Sequence, residues 1–191
     1  MSDQIKVKQA DPSYSVEFVQ KPLSLGDLND LCDATDAAIE GGGGFGWVKL
    51  PAREIMERYW QGVITIPTRD LFVARLDGVI CGTCQLMKRP VNNEAQSFSA
   101  KLTTTFVAPW ARGYGLAKML IRAVEDHACK EGIAVINLDI RETMSEAISL
   151  YESLGYERIG THPYYAKVDG KVLKGYYYTR VIDQKALDQD A

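Results

Sequence analysis

The hydrophobic and polar positions of the first third of the chain change from a two-residue to a helical period. Tyr14–Gln20 alternates and is rich in β-forming residues, which predicts a strand. After Ser24, a candidate helix cap, apolar or small residues recur at helical spacing: Leu25, Leu28, Leu31, Cys32 and Thr35. A glycine run follows, and Pro51 then opens a second helical segment, in whose first turn we expect it to lie.

Two Asp-Gly pairs predict β-hairpins. Asp77-Gly78 joins two β-rich segments in the middle of the chain, and Asp169-Gly170 joins two more near its end. A type I′ turn needs positive φ at both central residues, and this dipeptide tolerates it. The pattern therefore predicts two pairs of antiparallel strands.

A strand, a helix and a second strand follow the first hairpin. Ala95–Val107 is a long β-branched and aromatic run, which we expect to be a central strand. A helical segment then ends at Gly132, and the apolar stretch Ile133–Ile140 comes next. Such a unit implies parallel pairing and burial of both strand faces. With a further helix ended by Gly155, the chain reads as an α/β (α+β) domain: a mixed sheet with helices on its faces.

Composition is that of a globular protein and narrows the range of partners. The 191 residues are 46% hydrophobic and 25% charged, which favours a single domain over 1–191 with flexible ends at Met1–Ser13 and Asp183–Ala191. The net charge of -3 argues against nucleic-acid binding. A polar N-terminus and no apolar run of ~20 residues argue against a membrane and favour a cytoplasmic protein.

The four cysteines do not predict a metal or redox centre. Cys81 and Cys84 form a C-x-x-C pair, but the pair lies in a strand-like apolar segment instead of at a helix N-terminus. Two further cysteines, Cys32 and Cys129, stand far apart along the chain, which has only two histidines. We therefore expect reduced core cysteines and no metal.

The segment Phe106–Leu120 carries the most chemical information. Pro109 ends a strand, and glycines at the start of a helix leave backbone N–H groups free to bind an anion. The residues do not form a nucleotide P-loop, and only two of the three glycines of a dinucleotide fingerprint are present. The pattern predicts an anion site at the junction between strand and helix.

The order of motifs around this junction resembles the GNAT superfamily of N-acetyltransferases. Its pyrophosphate motif, (Gln/Arg)-x-x-Gly-x-(Gly/Ala), is matched by Arg112, Gly115 and Ala117, after a V-x-P that is matched by Val107 and Pro109. A later helix carries the pattern A-x-x-x-Y-x-x-x-G-(F/Y), here Ala147, Tyr151, Gly155 and Tyr156. The resemblance covers at least Asp70–Ile182.

The resemblance implies a GNAT-like mixed, splayed and mostly antiparallel sheet of about six to seven strands flanked by about four helices. Acetyl-CoA would lie in the opening of the sheet, with its pyrophosphate on N–H groups between Arg112 and Ala117. The implied cofactor-binding residues are Phe106, Val107, Arg112, Gly113, Tyr114, Gly115, Leu116, Ala117, Met144 and Ala147. Met144 stands where many members have an asparagine, so Thr143 or Ser145 would have to supply a polar contact there.

The resemblance also implies a catalytic acid. Tyr151 would lie near the sulfur and protonate the leaving thiolate, and a strand N–H near Val107 would polarise the carbonyl. No base can be identified, and the candidates are Asp139, Glu142, Glu94 or ordered water.

The acceptor side is predicted from aromatic residues in the first two helices, their loop and the last hairpin. Phe45, Trp47 and Tyr165 are its candidates, and the glycine run Gly41–Gly44 would make a mobile lid that carries the first two. The favoured activity is acetyl transfer to the primary amine of a small molecule by direct attack in a ternary complex. A protein or peptide acceptor, a non-catalytic acyl-CoA sensor and a homodimer remain open.

Overall fold

The computed structural model describes residues 11–20, 22–43 and 46–188. Gly44 and Phe45 lie outside the described residues, so the acceptor-side prediction for Phe45 stays a prediction. The strands are β1 (Tyr14–Phe18), β2 (Arg69–Leu76), β3 (Val79–Lys88), β4 (Ser99–Val107), β5 (Val135–Arg141), β6 (Glu157–Val168) and β7 (Lys171–Val181). The helices are α1 (Leu25–Glu40), α2 (Arg53–Val63), α3 (Leu116–Lys130), α4 (Ser145–Ser153) and α5 (Gln184–Asp188).

The seven strands form one mixed sheet in the order β1-β2-β3-β4-β5-β7-β6. Of the described pairs, β4 with β5 is the parallel one, and the others are antiparallel. This arrangement confirms the predicted mixed, mostly antiparallel sheet.

The sheet opens between β4 and β5. The two strands pair only where Ser99–Lys101 lies beside Val135–Asn137. Beyond this short ladder β4 continues to Val107 and β5 to Arg141, and these described ends do not pair with each other. Their facing edges direct backbone N–H and C=O groups into a gap, and such groups need another partner. The predicted splay is therefore present, and it positions the site described below.

Each face of the sheet has its own hydrophobic core. On one face α3 and α4 pack over residues such as Leu86, Leu102 and Ile136. On the other face α1 and α2 cover residues such as Val73 and Phe106. Trp60 of α2 is fully buried there, as expected, and its indole N–H donates to Thr35 at 3.1 Å.

Both Asp-Gly hairpins are confirmed. Asp77 and Gly78 have φ of 49° and 84°, and Asp169 and Gly170 have φ of 47° and 77°. The Ser24 cap is also present, since its side chain accepts from the Asp27 N–H at 3.0 Å.

Several predicted boundaries are wrong for local reasons. Pro51 precedes α2, whose N-cap is Ala52, so it does not lie in the first turn. The strand predicted over Ala95–Val107 begins only at Ser99, because Glu94–Gln96 forms a 3₁₀ turn. In the predicted terminal tail, Gln184–Asp188 is a short helix.

The strand predicted over Ile133–Ile140 spans Val135–Arg141 and is not buried on both faces. Its side chains alternate between half-buried and buried. The buried positions, Ile136, Leu138 and Ile140, belong to the core beneath α3 and α4, whereas the described core beneath α1 and α2 includes no residue of β5.

A buried hydroxyl on β3 leads to a stability prediction. The Thr83 side chain is fully buried, and its oxygen has no hydrogen-bond partner in the described part of the chain. Burying an unpaired hydroxyl costs about 1–3 kcal/mol, so Thr83→Val should raise the free energy of unfolding by about 1 kcal/mol. Urea denaturation measures the change, with Thr179→Val, a half-buried strand threonine, as the control. A less stable Thr83→Val protein would show that the hydroxyl is paired.

Candidate active site

A cavity of about 810 Å³ lies where the open end of the sheet meets α3 and α4. Its lining residues come from four places: the end of β4, the start of α3, helix α4 and the end of α1 with the glycines that follow it. Nine of the ten predicted cofactor residues line it: Phe106, Val107, Arg112, Gly113, Gly115, Leu116, Ala117, Met144 and Ala147. Tyr151 lines it as well, so one cavity brings together both predicted motifs.

The start of α3 is built to bind an anion. Gly113 and Gly115 have φ of 92° and 74°, a region that glycine adopts without strain. Gly115 is the N-cap, and no side chain of the described residues caps the helix. The first N–H groups of α3 are therefore open to a ligand at the positive end of the helix dipole.

Arg112 lies at the rim of this anion site. Its side chain is 48% exposed, and its guanidinium is 3.8 Å from the Glu146 carboxylate at the start of α4. An exposed pair at this distance contributes little to stability, so Arg112 can turn toward an anionic ligand at small cost.

Tyr114 is the exception among the predicted cofactor residues. Its side chain does not line the cavity, is 42% exposed and lies beside the Tyr14 ring, with 6.5 Å between ring centroids. The predicted contact with the cofactor involves backbone N–H groups, and for Tyr114 it stays a prediction.

The glycine run contributes to the same cavity, which the sequence did not predict. The residues that line the cavity include Gly41–Gly43 and Ala38 of α1. A Cβ on Gly41 would lie 3.0 Å from Pro109 Cγ and 3.2 Å from the Ala37 carbonyl oxygen. Glycine at this position therefore lets the end of α1 approach the turn that precedes α3. The lid hypothesis stays a prediction.

A β-bulge in β4 determines which side chains face the cavity. Thr103 pairs with Gln85 and Phe106 with Thr83, so two residues of β4, Thr104 and Thr105, oppose a single residue of β3. Thr104 has a φ of 51°, which is strained for a β-branched residue. Since an inserted residue reverses the side-chain alternation, Thr105 faces α4 and Phe106 faces α1.

The bulge leaves one backbone donor aimed at the opening. The Ala108 N–H donates to the Cys81 carbonyl of β3 at 2.7 Å. Because successive N–H groups point to opposite sides of a strand, the Val107 N–H points away from β3, toward the gap. This is the strand N–H that the sequence predicted as the carbonyl-polarising donor.

Tyr151 is held in an apolar wall of the cavity. It is 5% exposed, and its ring packs edge-on against Tyr156, with 5.4 Å between centroids. Burial raises the pKa of Tyr151 well above its ordinary value, and a hydrogen bond with Thr105 opposes part of that increase. The phenol therefore stays protonated and can donate.

The start of α4 supplies polar atoms beside Met144. Thr143 and Ser145 both line the cavity next to it. Either hydroxyl can contact a ligand where many members of the resembled family have an asparagine, so the methionine does not leave the wall apolar.

The two predicted acceptor residues that the structure describes, Trp47 and Tyr165, do not line this cavity. The Tyr165 hydroxyl donates to Asp139, whose other oxygen forms an ion pair with Lys101, and burial and this contact raise the pKa of Tyr165. Trp47 packs edge-on against Tyr59, with 5.0 Å between ring centroids. The acceptor role of both residues stays a prediction.

The candidate bases are also occupied or distant. Asp139 makes the two contacts above, and Glu142 accepts from the Lys174 N–H at 2.8 Å. Glu94 is exposed in the 3₁₀ turn before β4. None of these three carboxylates lines the cavity, whereas Glu146, which does, is an exposed carboxylate 3.8 Å from the Arg112 guanidinium.

The cysteines match the expected core role. All four are free, and three are buried. Burial raises the pKa of Cys32 and of Cys81 to about 11 and that of Cys84 to about 12, which disfavours the reactive thiolate.

One group of side chains has the spacing of metal ligands. Ligand atoms of Asp70, His127 and Glu131 lie within 4.8 Å of one another. The Lys88 ammonium, 2.9 Å from each carboxylate, already supplies a positive charge to the group. The cluster is therefore satisfied as an ion-pair network.

Comparisons with known proteins agree with this geometry. The family model described as Acetyltransferase (GNAT) family matches residues 43–156. An uncharacterised N-acetyltransferase from the hisH-hisA intergenic region of Azospirillum brasilense is 64% identical over 121 residues, which make up 63% of this chain and 72% of that protein. The [ribosomal protein bS18]-alanine N-acetyltransferase of Escherichia coli K12 is 36% identical over 73 residues, which are 38% of this chain and 49% of that protein.

A solved structure shares the fold. The Salmonella typhimurium protein yncA, solved with its cofactor acetyl-CoA, aligns with a TM-score of 0.72 at 16% identity, covering 90% of this chain and 95% of that one. The chain belongs to the Acetyltransferase (GNAT) family and is an acyltransferase. Its described helices include none long and apolar enough to cross a membrane.

Proposed function

We propose that the protein transfers the acetyl group of acetyl-CoA to the primary amine of a small molecule, by direct attack in a ternary complex. One observation carries the proposal: a single cavity joins the uncapped start of α3, the bulged strand β4 and the buried phenol of Tyr151.

The residues of the cavity fit a CoA thioester. A Cβ placed on Gly113 or Gly115 would meet nothing within 4 Å, so a ligand has room to approach their backbone. The N–H groups at the start of α3, with Arg112, would hold the pyrophosphate. The gap between β4 and β5 exposes strand edges to which the amide groups of a pantetheine arm can hydrogen-bond.

The residues around the gap suit the charge changes of acyl transfer. Acetyl-CoA supplies the activated acyl group. The Val107 N–H would stabilise negative charge that develops on the acyl oxygen, and Tyr151 would donate a proton to the leaving sulfur. The leaving thiolate resembles that of cysteine, with an ordinary pKa near ~8.5, so protonation assists its departure.

The acceptor amine must lose a proton. A lysine-like amine has a pKa near ~10.4, so at neutral pH only about one molecule in 2,500 is the neutral nucleophile. Because none of the candidate carboxylates lines the cavity, we propose that ordered water and backbone carbonyls pass this proton to solvent.

A second candidate acceptor is the N-terminus of a protein. The relative that acts on alanine of ribosomal protein bS18 supports it, although the aligned part is 49% of that protein. A protein acceptor would need an open groove along the α1–α2 side, whereas a small amine needs only the mouth of the cavity.

One experiment tests the proposal and separates the acceptors. The protein is mixed with acetyl-CoA and a panel of small amines and N-terminal peptides, and free thiol is followed over time. Faster thiol release with a small amine supports the proposal, and release only with peptides supports the second candidate. Saturable CoA binding without thiol release for any acceptor would contradict both and indicate an acyl-CoA sensor.

A further inference from the structure

The β4 bulge places one threonine between a buried thiol and the phenol of Tyr151. Thr105 lines the cavity, and its Oγ1 lies 3.2 Å from Cys84 Sγ of the neighbouring strand. We propose that Thr105 is a positioning residue, which with Cys84 turns the Tyr151 O–H toward the substrate sulfur. This inference rests on the proposed function and deepens its account of the acid.

The proposal includes a direction for each hydrogen bond between these protonated groups. Cys84 is fully buried, and burial raises the pKa of its thiol to about 12, so the sulfur keeps its proton. Either atom of the 3.2 Å contact could donate, and the proposal assigns this role to the Cys84 S–H, with Thr105 Oγ1 as the acceptor.

In this arrangement Thr105 donates the next hydrogen bond, to the phenol oxygen of Tyr151. A hydroxyl has one proton to donate, and with its oxygen accepting from Cys84, that proton is free for the Tyr151 oxygen. Donation to the phenol oxygen leaves the proton of Tyr151 without an acceptor in the chain Cys84–Thr105–Tyr151. The phenol proton can therefore point into the cavity.

The arrangement depends on the strained residue of β4. Without the extra residue at Thr104, Thr105 would keep the alternation of Thr103 and face α1 and α2. The φ of 51° at Thr104 thus places the Thr105 hydroxyl on the α4 side, next to Tyr151. Strained backbone persists where the surrounding structure requires it, and functional sites are where it concentrates.

Isosteric variants test the role in catalysis. Thr105→Val removes the hydroxyl and keeps the strand-forming shape, and it should lower kcat about 3–10-fold, equivalent to one ordinary hydrogen bond. The KM for acetyl-CoA should stay within about twofold, and Thr105→Ser should recover most of the loss. Thr83→Val, the same change on β3, is the matched control, since Thr83 does not line the cavity.

A double-mutant cycle separates positioning from simple packing. In a Tyr151→Phe background there is no phenol to orient, so Thr105→Val should add less than about a twofold further loss. An equal loss in both backgrounds would overturn the proposal and assign Thr105 a packing role.

An infrared measurement gives a readout that does not require turnover. The S–H stretching band of Cys84, identified by its disappearance in Cys84→Ala, should shift in Thr105→Val and remain in place in Thr83→Val. An unshifted band would contradict the hydrogen bond between Cys84 and Thr105 on which the proposal depends.

The outcomes also separate this inference from the proposed function. Thiol release by the parent together with an unaffected Thr105→Val enzyme would overturn this inference alone. Failure of the parent with every acceptor would contradict the proposed function and, with it, the role of Thr105.

Discussion

Replacement of Gly115 by glutamate is expected to weaken CoA binding at least about 100-fold. The change places a carboxylate where the pyrophosphate would lie, at the open N-terminus of α3. Two like charges in direct contact in a partly desolvated site cost several kcal/mol, and every 1.4 kcal/mol is a tenfold loss of affinity. The free protein should still fold, because a negative charge favours a helix N-terminus. Calorimetric titration with CoA measures the affinity.

The same helix offers a matched control for backbone strain. Gly132 follows the C-terminus of α3, has a φ of 78° and has open space where a Cβ would lie, as Gly115 does at the other end. Gly132→Glu therefore carries a comparable left-handed strain of about 1–2 kcal/mol but lies outside the cavity. If folded Gly115→Glu and the parent bind CoA with equal affinity, the assignment of the anion site to the start of α3 is wrong.

The elements that the sequence predicted well have local causes. The turn at Asp77-Gly78 depends on the φ values of these two residues alone. The Ser24 cap depends on a hydrogen bond to a residue only three positions away. The motif around Gly115 is similarly local, because the backbone turn and the helix start belong to one short segment. Such features need no knowledge of the partner strands.

The features that the sequence missed depend on distant partners. Nothing in the threonine run of β4 marks the bulge at Thr104, whose extra residue exists only relative to β3. Nearby on β3 is Gly82, where a Cβ would lie 2.7 Å from the Phe106 carbonyl oxygen. The sequence shows the glycine, but it does not show that the neighbouring strand β4 approaches so closely that only glycine fits. The same holds for Gly41, whose neighbour Pro109 lies far along the chain.

The predicted acceptor side illustrates why side-chain contacts between strands cannot be predicted from the sequence. The acceptor role of Tyr165 rests on its aromatic character and stays a prediction, while the structure adds that its hydroxyl donates to Asp139 and its ring covers Gly175. A hydrophobic pattern cannot distinguish an aromatic residue that lines a substrate mouth from one that closes a strand contact. The choice depends on the register of β6 against β7, which shifts between His162 and Ala166, across this residue.

Removing the Tyr151 hydroxyl is expected to lower turnover with little change in CoA affinity. Positioned proton donors contribute about 10²–10⁴-fold, so Tyr151→Phe should reduce kcat by about 100-fold if protonation of the leaving sulfur limits the rate. The ring stays in place, since phenylalanine keeps its packing against Tyr156. Steady-state kinetics give kcat, and calorimetry gives the CoA affinity.

The pH dependence sharpens this prediction. Burial raises the pKa of Tyr151, and a raised pKa means that the acid form persists to higher pH. Turnover of the parent should therefore show no decline at alkaline pH due to ionisation of this phenol, and any rise with pH should follow deprotonation of the acceptor amine. Rates measured across the alkaline range for the parent and for Tyr151→Phe provide the comparison.

Tyr156→Phe is the matched control, because Tyr156 is similarly buried, lies beside Tyr151 and does not line the cavity. Loss of turnover only in Tyr151→Phe assigns the proton to that phenol. If both variants match the parent in rate and pH profile, the leaving sulfur departs unprotonated or takes its proton from water, and the cavity acts by binding and by the Val107 N–H alone. Because CoA affinity is measured separately, that outcome would still leave the anion site at Gly115 intact.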